Sequence, residues 1–468
     1  METQRIPRKT ILAIIGSGLL AFCGILTETS MNVTFPTLMK QFDLSMGTVQ
    51  WLSTGYLLVV SLTMITSAFM QRRLKLSQLF VLAGLMFTIG DLICGLAPNF
   101  QVLLIGRLIQ AVGTGYAIPL LFAIILQQIP AARLGVFMGI GGMITGIAPS
   151  LGPTYGGFNT YMFTWREIFW FILPIVILAT ILGGLTIPQR FKTERPQFNF
   201  LGLLFLGIAF FLITEGFTAA GTAGWLSIKF WGSLLGGLVF LMLFVFDSRH
   251  TQRDLINLMV FKSPTFVLSV TVYFLIQLMN IGISFLLPNY AQLVFGANSL
   301  TAGATILLGS LASAFVQPLS GRMLDRNGAS VPIKIGSVLL VISLGLFSAF
   351  GQSLTSGLIV LFYLFFGIGF GFSFGNTMTN GIQQVDIKLQ QDANATFSTS
   401  QQFAGSIGTA IMAAILTSSQ QSGRHLSQRV LSAIGSQHDF YLLLLLTVII
   451  LILVWINFAK QRRQETAE

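Results

Sequence analysis

The run GIAPSLGPTYGG, Gly146 to Gly157, decides the fold. Gly stands at 146, 152, 156 and 157, and Pro at 149 and 153, inside an apolar stretch long enough to cross a bilayer. In water such a density of Gly and Pro breaks a helix. In lipid, small residues let helix backbones touch, and neighbouring helices satisfy the backbone groups that a proline frees. The stretch reads as a membrane helix built to pack closely against another.

Composition extends that reading to the whole chain. The 468 residues are 54% hydrophobic and only 9% charged, with a mean hydropathy of +0.80. A soluble domain carries about 25% charged residues. The chain is therefore expected to be an all-α integral membrane protein with little room for a soluble domain. The net charge of +11 does not point to nucleic acid, because the cations cluster in short loops between apolar runs. The two cysteines, Cys23 and Cys94, lie within apolar runs and read as packing residues. Arg5, Arg8 and Lys9 precede an apolar run read as the first retained span. A Gly-x-x-x-x-Gly-Lys-[Ser/Thr] loop and metal-ligand histidine spacing are both missing from the sequence. The expectation is no enzyme, no cofactor and no metal.

Fourteen apolar segments can be placed, from 11–35 at the start to 396–417 and 438–459 at the end, and an even number puts both termini on one side. That side holds twenty of the 26 Lys and Arg residues; five lie opposite, and Arg107 lies within a span. The excess fixes both ends in the cytoplasm. Segments 200–219 and 227–247 sit between the basic linkers RFKTERPQ and DSRHTQRD. Removing them leaves six helices on each side, the two-bundle plan of secondary transporters. The expected organisation is a six-helix bundle over 1–190, an inserted two-helix hairpin with its linkers over 191–262, and a second six-helix bundle over 263–468. In the loop 418–437, HLSQRVLSAIG (His425 to Gly435) reads as a short interfacial helix.

Charges inside a span usually face a partner or a water-filled cavity. At about 1.5 Å per residue, Glu28 lies about 26 Å up the first helix and Arg107 about 9 Å down the fourth from its outer end. Asp91 reaches a similar depth in the third helix. Two readings of Glu28 are open: a proton carrier whose ionisation Arg107 tunes, or a fixed ion pair with Arg107 that closes an outer gate. We take the first. Asp91 reads as a residue near the outer interface or a structural partner, and the next candidate for the coupling acid after Glu28. Asn32, one turn above Glu28, binds substrate or bonds a neighbouring helix. Gln110 shares a face with Arg107. The ninth span offers Tyr273, Gln277 and Asn280 at helical spacing, and the twelfth offers Asn376 in a Gly-rich run. These are the candidate substrate-cavity residues. Forty-two Phe and sixteen Met residues suit a yielding apolar cavity, although lipid-facing bulk accounts for most of them.

Several motifs together resemble the fourteen-helix drug:proton antiporters of the major facilitator superfamily, over almost the whole chain. Gly152, Pro153, Gly156 and Gly157 match the antiporter motif of the fifth helix, which in that family lies at the seam between the two halves. TETSMNVTFPTLM (Thr27 to Met39) is similar to the family's Asp-Thr-Thr-x-x-Asn-Val-Ala-Leu-Pro signature, with Thr27 at the acid position and the carboxylate moved to Glu28. GRLIQAVGTG (Gly106 to Gly115) matches the motif whose Arg is implicated in proton coupling. AFMQRRLKLS (Ala68 to Ser77) is a degraded copy of the loop after the second helix. GRMLDRNG preserves it better in the second half, so the resemblance makes Gly321, Asp325, Arg326 and Gly328 the cytoplasmic gate.

The resulting expectation is a bacterial cytoplasmic-membrane protein that exports drug-like hydrophobic or amphipathic molecules in exchange for protons. It would act by alternating access, as a monomer among membrane lipids, with no nucleic-acid partner. The alternatives are an importer or facilitator of a small metabolite with the same fold, and a non-transporting membrane receptor or scaffold.

Overall fold

The computed structural model describes residues 6–31, 34–44, 49, 51–188, 193, 197–251, 255–297, 299–422 and 426–465. Among these, fourteen helices have 20 residues or more. The first six are α1 (Arg8–Ser30), α2 (Trp51–Arg73), α3 (Leu76–Leu96), α4 (Phe100–Gln128), α5 (Leu134–Met162) and α6 (Glu167–Thr186). Next come α7 (Phe200–Ala223) and α8 (Ile228–His250). The last six are α9 (Pro264–Phe295), α10 (Ser299–Asn327), α11 (Ser330–Phe350), α12 (Ser356–Gln383), α13 (Gln390–Ser422) and α14 (Gln428–Glu465).

Thirteen of these are long and apolar enough to cross a membrane. The exception is α13, whose 33 residues are rich in Gln, Ser, Thr and Ala. Its place is secured by packing: a Cβ added at Gly408 would meet the Leu278 carbonyl oxygen of α9 at 2.3 Å. Such close approach substitutes for apolar bulk, because polar side chains that face protein are not exposed to lipid.

Two local expectations are corrected. The first span, read as 11–35, ends at Ser30, and a separate short helix follows over Phe35–Phe42. Pro36 sits in the first turn of that helix, where a missing N–H costs nothing. The interfacial helix read over 425–435 is no separate element, since Gln428–Glu465 is one continuous helix of 38 residues. Residues 423–425 lie outside the described residues. Leu431, Ser432, Gly435 and Ser436 are buried, so this segment packs on protein.

The helices form two compact units. The first comprises Met1–Phe198, Arg253–Ile256 and Asn394–Thr399; the second comprises Asn199–Gln252, Asn257–Ala393 and Ser400–Glu468. Within the first, α1 packs on α4, α5 and α6, while α4 packs on α2 and α3. Several hydroxyl side chains in the spans return their protons to the same helix. Ser17 Oγ donates to the Ala13 carbonyl at 2.8 Å, and Thr27 Oγ1 to the Cys23 carbonyl at 2.8 Å. Lipid offers such groups no acceptor, so each must find one on its own or a neighbouring helix.

The inserted pair α7–α8 belongs to the second unit. Phe210 of α7 stacks on Phe403 of α13, ring centroids 3.9 Å apart. Ile213 joins Leu278, Ala404 and Ile407 in one buried cluster. At the start of the hairpin, Asn199 Oδ1 caps α7 by accepting from the Gly202 amide at 2.8 Å, and its Nδ2 donates to Asp247 of α8. Glu215 is exposed.

Candidate functional site

The centre of the first unit is α4. A Cβ on Gly113 would stand 2.6 Å from the Ala83 carbonyl oxygen, and one on Gly90 would stand 2.6 Å from the Gln110 backbone nitrogen. Bare backbone on both helices therefore brings α3 and α4 together along the GRLIQAVGTG motif. That approach places Asp91, next to Gly90, beside Gln110.

The result is a buried polar chain. Arg107 is 0% exposed and Asp91 2%. Arg107 donates from Nη1 to Gln110 Oε1, and Gln110 donates from Nε2 to Asp91 Oδ1. The glutamine thus joins a cation to a carboxylate with both ends of its amide. The guanidinium also lies over the Tyr56 ring of α2, 3.9 Å from its centroid, a cation–π contact made stronger by desolvation. Tyr56 is held in turn: its hydroxyl is 2.7 Å from Thr114 Oγ1 of α4 and donates to the Gly24 carbonyl of α1 at 3.2 Å.

Glu28 of α1 lies close enough to Tyr56 to act on its hydroxyl electrostatically. Its side chain is half-buried. Arg107 Nε and Nη2 and Asp91 Oδ2 are buried without hydrogen-bond partners among the described residues. A buried network with this much unused bonding capacity is costly as a purely structural device.

The sequence reading paired Glu28 with Arg107. The structure makes Tyr56 a neighbour of both and joins Asp91 to the arginine through Gln110. Asp91 is also deeper inside the protein than an interfacial residue would be. Gln110, read as cavity-lining, has both ends of its amide engaged in this conformation. Asn32 lies outside the described residues. Tyr56 and Thr114 escaped sequence reasoning, because a single Tyr or Thr in an apolar span has no signal until its partner helices are known. Cys23 and Cys94 are both buried and free.

The glycine seam of α5 meets α1. A Cβ on Gly152 would lie 1.8 Å from Thr29 Oγ1, and one on Gly156 would lie 2.3 Å from the Ser30 carbonyl oxygen. Ser30 Oγ crosses the seam to donate to the Gly152 carbonyl at 3.0 Å. Gly157 is half-buried, and the Pro153 side chain lies outside the described residues.

In the second unit the predicted residues sit in neutral surroundings. Tyr273 donates to Gln401 Oε1 at 2.9 Å and stacks on Phe374 at 4.5 Å. Gln277 is buried, with Oε1 lacking a hydrogen-bond partner among the described residues. Asn280 is half-buried. Asn376 Nδ2 donates to the Phe372 carbonyl of its own helix at 2.9 Å. At the end of α10, Gly321 is buried, Asp325 half-buried and Arg326 exposed. Gly328 ends that helix with φ +79°, and its amide donates to the Leu324 carbonyl at 2.9 Å. Two buried acids in this unit escaped the sequence reading, Asp392 of α13 and Asp439 of α14, both 0% exposed; Asp392 accepts from the Asn257 amide at 2.9 Å. Hydropathy had set the start of the last span at 438, which disguised Asp439 as an edge residue.

Comparison with known proteins places this geometry. Residues 17–409 match the Major Facilitator Superfamily. The chain is 32% identical over 413 residues to the lincomycin resistance protein LmrB of Bacillus subtilis (strain 168), covering 88% of this chain and 86% of that one. It is 29% identical over 401 residues to a multidrug resistance protein B homolog of Mycobacterium tuberculosis (strain ATCC 25618 / H37Rv), covering 83% and 73%. Among solved structures, the proton:xylose symporter XylE superposes with a TM-score of 0.67 at 13% identity over 96% of each chain. The human organic anion transporter MFSD10 superposes with a TM-score of 0.65 at 14% identity, over 94% of this chain and 100% of the other. The long apolar helices, the polar cluster in the first six of them and the near full-length match agree: this chain is a multi-pass membrane protein that belongs to the major facilitator superfamily.

Proposed function

We propose that this protein exports hydrophobic or amphipathic drug-like molecules across the bacterial cytoplasmic membrane in exchange for protons, by alternating access. The observation that carries the reading is the buried Asp91–Gln110–Arg107 chain, with Glu28 one turn along α1 from the Gly24 carbonyl that holds Tyr56. Ionisable groups are retained inside a membrane at a cost that function explains better than packing does. The names of the relatives, lincomycin resistance and multidrug resistance, support export of drug-like compounds.

In this reading Glu28 carries the proton. Arg107 favours its ionised form, and Gln110 ties the arginine to Asp91, so that a proton on either acid is felt by the cation they share. Asn32, Tyr273, Gln277, Asn280 and Asn376 supply neutral polar contacts to a mainly apolar ligand. Gly321, Asp325, Arg326 and Gly328 hold the cytoplasmic gate. Each proton moving inward supplies about 2.3 kcal/mol per 100 mV of membrane potential.

The test is uptake into everted vesicles from a strain lacking its own exporters, with and without a proton gradient. Glu28→Gln is expected to insert normally and to lose gradient-driven transport. If Glu28→Gln still transports and an uncoupler abolishes that transport, Glu28 is not the coupling acid, and Asp91→Asn is the next variant to measure.

A further inference from the structure

The second unit holds an acid that the export reading does not use. Asp439 lies on α14, and neither carboxylate oxygen has a hydrogen-bond partner among the described residues. Three helices surround this part of α14. From α11, Ser348 Oγ donates to the Phe440 carbonyl at 3.1 Å, and the Ser348 carbonyl accepts from Gln437 Nε2 at 2.7 Å. From α9, the Tyr290 ring lies 6.5 Å from that of Phe440. From α13, Gln420 Nε2 donates to Ser432 Oγ at 2.9 Å.

Among the described residues, no cationic donor reaches either Asp439 oxygen. The titratable groups of α9 on this side reduce to Tyr290, with Tyr273 deeper in the span. The only charged residue of α11 is Lys334, which lies over the Trp455 ring, sixteen positions along α14 from Asp439. From Ser400 to Ser422, α13 has no charged residue. On α14 itself Arg429 acts on Tyr290, and His438 is exposed. Ser436 Oγ, one turn nearer the helix start, and the Tyr290 hydroxyl are likewise buried without hydrogen-bond partners among the described residues. A bare carboxylate in that setting is costly, and a bound proton removes the cost. A metal cation would need several oxygen or nitrogen ligands, and the described residues hold no cluster of three or more His, Cys, Asp or Glu side chains.

We propose that Asp439 is a second proton-binding site of this transporter, located in the unit opposite to Glu28 and Asp91. Twenty-one residues separate it from Lys460, about 32 Å of helix, and the hydrocarbon core is about 30 Å thick. Its depth is that of the interface which the cation distribution puts outside. The line Ser432, Ser436, Asp439 runs toward that face. External protons reach Asp439 along it. Proton binding stands on this geometry alone, whereas its use in transport rests on the proton-coupled reading.

Infrared difference spectroscopy after a pH jump, on the purified full-length protein in lipid nanodiscs, tests the binding. Asp439→Asn is expected to lose one protonated-carboxyl C=O component that Glu28→Gln retains, with an unchanged thermal midpoint. Asp439→Glu is expected to keep that component at a shifted frequency, which holds the test open if the Asn variant folds poorly. Carboxyl spectra that coincide between wild type and Asp439→Asn overturn the proposal. A large loss of thermal stability in Asp439→Asn that Asp439→Glu restores without any carboxyl band also overturns it, since it reveals a structural anion. In everted vesicles Asp439→Asn is expected to move about half as many protons per substrate. A wild type that shows no proton dependence at all sinks the export reading, while the infrared result still decides the assignment of Asp439.

Discussion

The two units solve the same problem, polar groups inside a membrane, in opposite ways. The first joins a cation to an acid: Arg107, Gln110 and Asp91 are buried, hydrogen-bonded and covered by Tyr56. The second has a neutral network, in which Tyr273 bonds Gln401 and Asn457 bonds Ser269 at 3.0 Å, and an acid, Asp439, with no hydrogen-bond partner among the described residues. Both use the same packing device, glycine against a bare carbonyl, at Gly156 on Ser30 and Gly408 on Leu278. Shared packing with unequal charge is what a machine needs if one half senses protons through an ion network and the other mainly shapes a cavity.

The largest effect is expected where a charge is orphaned. Arg107→Leu leaves Asp91 buried without its cation and should cost about 3–5 kcal/mol of stability together with transport. Adding Asp91→Leu should recover most of the stability and none of the transport, as read by thermal unfolding beside vesicle uptake. If the single variant is as stable as wild type, the contrast between the units fails. Arg107→Lys keeps charge without the planar fork, and its transport should fall sharply with a shifted pH profile. An unchanged rate and profile would reduce Arg107 to a generic positive charge.

Next comes the bridge. Gln110→Leu strands Arg107 Nη1 and Asp91 Oδ1, each costing about 1–3 kcal/mol, and Gln110→Glu should not restore the donor to Asp91. Retained coupling in a stable Gln110→Leu protein would separate Asp91 from Arg107 functionally.

The packing device should respond alike in both units. Gly156→Ala and Gly408→Ala each drive a methyl into a backbone carbonyl, for about 1–3 kcal/mol of overpacking. Gly152→Ala meets Thr29 Oγ1 at 1.8 Å and Thr29 Cβ at 2.7 Å instead, so Thr29→Gly should rescue much of it, and no side-chain truncation should rescue Gly156→Ala. Thermal midpoints of the three variants and the rescue pair read this directly.

The smallest effect is expected in the neutral network. Tyr273→Phe removes one interhelical hydrogen bond, worth about 0.6 kcal/mol on average in membrane helices, and should leave the pH profile of transport unchanged. A moved profile would mean that the second unit is coupled to protons through more than Asp439.

Much of this architecture is legible in the residues. Hydropathy and cation placement carry the helix count, and intramembrane charge singles out Glu28 and Arg107, because lipid makes each such residue conspicuous. Legibility stops where identity depends on a neighbour. Asp91 reads as peripheral until Gly90 lets α4 approach, and Gln110 reads as cavity-lining until both of its ends are seen to be occupied. α13 is placed as a span from sequence over 396–417, although it is the least apolar of the fourteen, since its partners are other helices. Asp439 is hidden by hydropathy itself, which sets the end of a span where polar residues begin, whether or not protein covers them.

The sequence by itself therefore determined that this is a many-helix membrane protein, the approximate ends of its helices, and which charges had been left in lipid. Those are properties of each segment's own transfer from water to lipid. Only the tertiary structure decided which acid is tied to Arg107, which helix the glycine seam touches, that the inserted pair packs with the second unit, and that Asp439 lacks a hydrogen-bond partner among the described residues. These depend on distances between segments far apart in the chain, and the free energy of a buried charge is set by what lies within a few ångströms of it.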